Sequence, residues 1–161
     1  MPILHSQLGP AQAKAPDGRP VFLPPAVSLV MRGPIIQVTI TIEANAGKGL
    51  LAQGKQLPSP KPGLALIDTG AGCTCIDEQV AQELGLPVID AGKMTSATHA
   101  DEPCNVYPIQ FTLPPNLTFN CARTMGAKLA AQGIQILIGR DILQRCTLFY
   151  NGAVGQFTLS L

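Results

Sequence analysis

Leu64-Ala65-Leu66-Ile67-Asp68-Thr69-Gly70-Ala71 is the stretch on which the reading of this chain turns. Four apolar residues in a row predict a short strand buried on both faces. The carboxylate of Asp68 ends that strand, and the small, turn-forming Thr69-Gly70-Ala71 follows at once. A lone charge is expensive in such a place, so the carboxylate must emerge into a crevice rather than pack into the core. A capping or turn Asp is the plain alternative, since three-residue matches arise by chance. The buried strand before it and a helix signal after it argue for more.

Downstream, Asp77 to Gly85 reads as that short helix. Asp77 caps it, Ile76, Val80 and Leu84 form a stripe, Gly85 stops it and Pro87 forbids continuation. Upstream, Ile36, Val38, Ile40 and Ile42 alternate with Gln37, Thr39, Thr41 and Glu43, the clearest strand in the chain. Residues 44–63 between them read as a long surface loop. Residues 1–34 are dense in Pro and Gly without periodicity and read as an extended N-terminal arm or a removable pro-segment. The remaining domain is then 35–161. Within it, Tyr107 to Leu113 alternates, with Pro108 marking an edge or bulge, and Leu117 to Cys121 alternates too. Residues 127–132 read equally well as one helical turn or a loop. Ile134 to Ile138 predicts a second buried strand, followed by Gly139 and a short helix from Arg140 to Arg145. Asn151-Gly152, between Cys146–Tyr150 and Val154–Leu161, predicts a type I′ hairpin.

Composition narrows the function. The chain has 161 residues, one domain's worth, with 11 Lys and Arg against 10 Asp and Glu, a net charge of +1. With no charged run, neither nucleic acid nor an anionic membrane is expected as a partner. No apolar stretch approaches the ~20 residues of a membrane span, and no secretory leader is visible, so a cytoplasmic setting is expected. Aromatic residues make up 4%, while 16 Gly and 15 Pro favour many short strands and turns. The five cysteines, Cys73, Cys75, Cys104, Cys121 and Cys146, follow no metal-ligand spacing and read as free thiols, so no metal and no cofactor is expected. His5 and His99 accompany no Ser or Cys nucleophile pattern.

Two separated segments together resemble the retropepsin-like aspartic proteases, the single-lobed family that includes retroviral proteases and bacterial relatives. The first is Ala65-Leu66-Ile67-Asp68-Thr69-Gly70-Ala71 with Ile76-Asp77 and the helix ending Leu84-Gly85-Leu86-Pro87, as in bacterial members. The second is Ile136-Leu137-Ile138-Gly139-Arg140-Asp141-Ile142-Leu143, with Cys146-Thr147-Leu148-Phe149 similar to the closing strand. The resemblance covers about residues 35–161. It implies a mostly β, closed-barrel acid protease fold with two short helices and one lobe per chain.

The resemblance also implies an aspartic endopeptidase acting on peptides as a homodimer. Asp68 from each of two protomers would hold one proton and one water between them. Thr69, Gly70 and Ala71 would support the turn, while Ile138, Gly139 and Arg140 would brace the catalytic strand. A flap over the substrate is expected at Ser96, Ala97, Thr98 and His99. Only one Asp-Thr-Gly is present, Asp90-Ala91-Gly92 lacking the hydroxyl, so a complete site needs two copies, joined at terminal strands with the 151–152 hairpin as the first candidate. Where retroviral members often carry an acid after Asp-Thr-Gly-Ala to pair with the Arg, this chain has Gly72 and Cys73. Arg140 is left to Asp141, Asp77 or a carboxylate of the partner. The alternative to an enzyme is a catalytically inactive dimerisation or peptide-binding module that uses the same cleft.

Overall fold

The structure is a computed structural model that describes residues 3–8, 11–95 and 101–161. In chain order the elements are β1 (Ile3–Gln7), β2 (Ala11–Lys14), β3 (Pro20–Leu23), α1 (Pro25–Arg32), β4 (Ile35–Ile42), α2 (Ala44–Ala52) and β5 (Lys61–Ile67). Then come β6 (Cys75–Asp77), α3 (Glu78–Glu83), β7 (Asp90–Met94), β8 (Glu102–Leu113), β9 (Leu117–Ala127), β10 (Ile136–Ile138), α4 (Arg140–Leu143), β11 (Thr147–Asn151) and β12 (Gln156–Ser160). A 3₁₀ turn at Ala130–Gln132 precedes β10.

Six strands close a barrel in the order β4-β5-β10-β6-β9-β8, because β8 pairs with β4 as well as β9. The long β8 manages this by splitting its length: its first half pairs with β7 and its second half with β4. The register between β8 and β9 shifts between Tyr107 and Ile109, so Pro108, which has no N–H to give, sits at a bulge rather than on an edge. The alternation read from β4 points Ile36, Val38, Ile40 and Ile42 into the core and leaves Gln37 and Thr39 outside. They meet Phe111, which stacks on Phe119 at 5.1 Å between ring centres, and Ile76, Ile136 and Ile138 from the far wall.

The fold is mostly β, as the sequence implies, but it carries four helices where two were expected. Helices α3 and α4 stand where the sequence puts them, one to two residues shorter at their ends. The other two lie in segments read as irregular. Helix α1 falls in the N-terminal segment, starting on Pro25 at its first turn, where a missing N–H costs nothing, and closing on Gly33. Helix α2 falls in the 44–63 loop. Two glycines hide it from propensity, while Glu43 supplies a cap, Oε2 accepting from Asn45 N at 2.8 Å and Ala46 N at 2.9 Å.

The N-terminal segment is also tied into the core. β1 pairs with β12, which pairs with β11, in a separate three-stranded sheet, and Leu4, Leu8 and Leu29 are buried with the barrel's residues. The hairpin of β11 and β12 differs from the two-residue type I′ turn expected at Asn151-Gly152. Asn151 pairs with Gln156 across a four-residue loop, and the left-handed position is Gly155, at φ 69°. Tertiary contacts decide this, since Leu8 N donates to Gly155 O at 3.2 Å and a side chain at 155 would collide with the backbone of Pro25.

Candidate active site

Asp68 leaves the end of β5 at the centre of a short tripartite contact. β5 runs parallel to β10, Ile67 beside Ile138, and Asp68 N donates to Ile138 O at 3.0 Å. The chain then turns back: Ala71 N donates to Asp68 O at 3.3 Å, and Gly70 N donates to Asp68 Oδ1 at 2.8 Å. One carboxylate oxygen is thereby held by the turn that follows it. Asp68 and Ala71 are half-buried, whereas Thr69 and Gly70 are exposed, so the acid stands at the foot of a solvent-facing turn. Among the described residues no ion pair involves Asp68.

The second motif supports this turn from below. Arg140 N donates to Ala71 O at 3.0 Å. Its guanidinium Nη1 donates to both Thr69 O and Gly70 O, each at 3.1 Å. Neither Asp141 nor Asp77, the partners weighed for Arg140 within the chain, receives it. A guanidinium spends its donors well on carbonyl oxygens, and the turn presents two of them where no acid stands. Gly139 lies beneath the loop so closely that a Cβ there would sit 2.4 Å from Cys73 C and 2.9 Å from Thr74 N. Only glycine fits, although its φ of −93° is open to any residue.

Two buried groups complete the support, Thr74, which the sequence did not single out, and Asp77, which it did as a cap. Thr74, 1% exposed, accepts from Gly139 N at 3.1 Å through Oγ1 and donates to Asp141 Oδ1 at 2.8 Å. Asp141 Oδ1 also accepts from Ile142 N at 3.0 Å, which seats α4. Asp77, 4% exposed, caps α3 through Oδ1 to Gln79 N and Val80 N, as its position predicts. Its Oδ2 accepts from Leu129 N and Ala130 N, both at 2.8 Å. That second pair links α3 to the 3₁₀ turn before β10, a role that sequence spacing of 52 and 53 residues gave no way to see.

A further cluster lies beside the loop. Cys75 Sγ is 3.8 Å from Met94 Sδ, and Cys104 Sγ is 3.6 Å from Met125 Sδ. All five cysteines are free. Burial, and then the neighbouring Cys73, pushes the Cys75 thiol up to about 12. Burial raises Cys121 to about 11. Such thiols behave as small apolar residues rather than nucleophiles. Among the described residues no three His, Cys, Asp or Glu side chains gather as a metal site. The flap expected at Ser96, Ala97, Thr98 and His99 lies outside the described residues.

Among the described residues no helix is long and apolar enough to cross a membrane. A family model described as aspartyl protease matches residues 57–142, a span that holds Asp68, its turn, Gly139 and Arg140. No curated protein sequence matches the chain. Among solved structures it is similar to the simian foamy virus (mac) protease at 17% identity and a TM-score of 0.42, over 68% of this chain and 91% of that one. It is similar to a retropepsin-like aspartic protease from Rickettsia conorii at 12% identity and a TM-score of 0.45, over 98% and 92%. The retroviral protease-like domain of Ddi1 from Leishmania major gives 13% identity and a TM-score of 0.39, over 73% and 81%.

Proposed function

This chain belongs to the aspartyl protease family, and on that premise we propose that it is an endopeptidase whose site is assembled from Asp68 of two identical chains. The observation that carries this reading is the held carboxylate. Asp68 stands half-buried at a strand end, with its backbone tied to Ile138 and one oxygen bound by Gly70 N. A group this fixed is preorganised for chemistry at its other oxygen.

One such acid is half of a site. Two carboxylates brought together cannot both ionise at low cost, so the pair retains one proton and holds a water between them. The ionised member takes a proton from that water as its oxygen attacks the peptide carbonyl carbon. The protonated member gives its proton to the carbonyl oxygen, so the tetrahedral intermediate forms without net charge. Collapse breaks the C–N bond as the carboxyl of the pair protonates the leaving nitrogen and the other carboxylate takes the proton from a hydroxyl of the intermediate, which leaves a carboxylic acid product and returns the pair to its single proton. Arg140 takes no part in proton transfer; it is a positioning residue that holds the carbonyls of Thr69 and Gly70, and so the turn that aims Asp68.

Cleavage of a diverse peptide mixture from about pH 3 to 7, the range in which a carboxylate pair shares one proton, tests the proposal with wild type against Asp68→Asn. Cutting by wild type that vanishes in D68N is the expected result. A folded, dimeric wild type that cuts nothing at any pH would overturn it in favour of a peptide-binding module.

A further inference from the structure

Two cysteines and two methionines from four different strands meet on one face of the sheet, beside the loop that follows Asp68. Cys75 on β6 is the register partner of Met125 on β9, and Met125 lies across from Val106 on β8. Cys104 stands two residues from Val106, opposite Gly92, and Met94 stands two residues beyond Gly92 on β7. Side chains two residues apart on a strand share a face, so all four sulfurs lie on the same side. They approach in pairs. Cys75 Sγ is 3.8 Å from Met94 Sδ, and Cys104 Sγ is 3.6 Å from Met125 Sδ. Glycine at 92 keeps the space over the second pair clear, since a Cβ there would stand 3.2 Å from Met125 Sδ and 3.4 Å from Cys104 Sγ. Cys75 is buried, while Cys104, Met94 and Met125 are half-buried and within reach of solvent.

Packing alone does not ask for sulfur, because leucine fills such space as well as methionine. Coordination does. Two sulfurs held at about 2.3 Å from one ion, with a tetrahedral angle between them, stand about 3.8 Å apart. Both observed pairs are close to that separation, so neither needs to move far to share an ion. The donors decide which ion. Zn²⁺ is held by thiolate, imidazole and carboxylate, and no three His, Cys, Asp or Glu side chains gather among the described residues. Half of the donors here are thioethers, and thiolate with thioether suits the soft Cu(I) ion. The local field agrees. Burial, and then the neighbouring Cys73, pushes both the Cys75 and the Cys104 thiol up, and no basic side chain among the described residues pulls either down. A bound cation opposes both causes.

We propose that Cys75, Cys104, Met94 and Met125 form a binding site for one Cu(I) ion, which ties β6, and with it the loop between Asp68 and Thr74, to β7, β8 and β9. Each thiol gives its proton to solvent as its sulfur binds the ion, and the copper enters and stays as Cu(I), so no electron is transferred. The site is distinct from the carboxylate chemistry of Asp68 and stands whether or not two chains share an active site.

The full chain, reduced and kept free of oxygen, is titrated with Cu(I) against the chelator bicinchoninate, whose coloured copper complex reports what the protein withdraws. The wild type is expected to withdraw one ion per chain. Met94→Leu with Met125→Leu conserves volume, so the far-UV circular dichroism spectrum should stay unchanged while the Kd for Cu(I) rises by about thirtyfold or more. Cys121→Ser with Cys146→Ser removes two thiols outside the cluster and should leave the Kd within about threefold. X-ray absorption at the copper edge should show sulfur neighbours only, and fewer of them in M94L/M125L. Equal retention of copper by M94L/M125L would overturn the proposal, since it would place the ion on thiols alone. A wild type that leaves all the copper with the chelator would overturn it too, as would nitrogen or oxygen neighbours at the copper or displacement of Cu(I) by an equal concentration of Zn²⁺.

Discussion

Gly139→Ala puts one methyl group where the loop that follows Asp68 and its support touch. The added Cβ would stand 2.4 Å from Cys73 C, 2.5 Å from Cys73 O and 2.9 Å from Thr74 N. All three are backbone atoms, so no rotamer change relieves the overlap and the strands must part by several tenths of an ångström. Overpacking of this kind costs about 3 kcal/mol at the upper end of its usual range. Stretching the bond from Gly139 N to Thr74 Oγ1 adds about 1 kcal/mol, and the reduced freedom of the unfolded chain returns about 0.4–1 kcal/mol. The net loss is roughly 3 kcal/mol, or about 6–12 °C in Tm for a domain of this size. Because Asp68 N hangs on Ile138 O and Ala71 O on Arg140 N, the displacement reaches the carboxylate, and kcat/KM for peptide cleavage should fall about a hundredfold. The assay is a thermal melt and a peptide assay at one fixed protein concentration, since the dimer proposed above would couple stability to concentration. Gly49→Ala in α2 is the control of opposite sign. Nothing lies within 4 Å of its Cβ position, and the methyl should stabilise by about 0.5–1 kcal/mol. A G139A protein that melts within about 1 °C of wild type and cuts at the normal rate would refute the reasoning.

Asp77→Asn keeps one acceptor oxygen but turns an NH₂ toward two of the four backbone N–H groups that the carboxylate now satisfies, so urea unfolding should show a loss of about 3 kcal/mol. An unchanged midpoint would mean that water serves those groups equally well. Cys75, pushed up to about 12 by burial and the neighbouring Cys73, carries far less thiolate at pH 8 than an ordinary thiol, so limited iodoacetamide should leave it unlabelled in the native protein. The same burial favours the neutral thiol in the folded state, so its contribution to stability is present below the ordinary thiol pKa near 9 and declines as the pH rises from there toward 12. Early alkylation of Cys75 in mass mapping would show that the site opens.

The barrel's main strands were legible because each announces itself over a few residues. The alternation in β4, the unbroken apolar run of β5 and the Asp77 cap of α3 depend on neighbours in sequence, and local physics suffices for them. Helix α2 was not legible in the same way. Its glycines weaken propensity, and the packing of Gly47 against Ile42 and Leu57 that compensates comes from outside the segment. The type I′ hairpin failed for a related reason: Asn-Gly permits that turn, but Leu8 and Pro25 place the left-handed residue at Gly155.

At the site the division is sharper. Asp68-Thr69-Gly70-Ala71 and Ile138-Gly139-Arg140 implied, through the family resemblance they carry together, which segments meet, while the unbroken apolar run before Asp68 placed its carboxylate at a strand end by local physics alone. Only the tertiary structure decided who holds whom. Arg140 reaches the carbonyls of Thr69 and Gly70, Thr74 stands between Gly139 and Asp141, and Asp77 ties α3 to Leu129 and Ala130. A hydrogen bond is chosen by distance and direction among groups dozens of residues apart, and those are fixed only when the barrel closes.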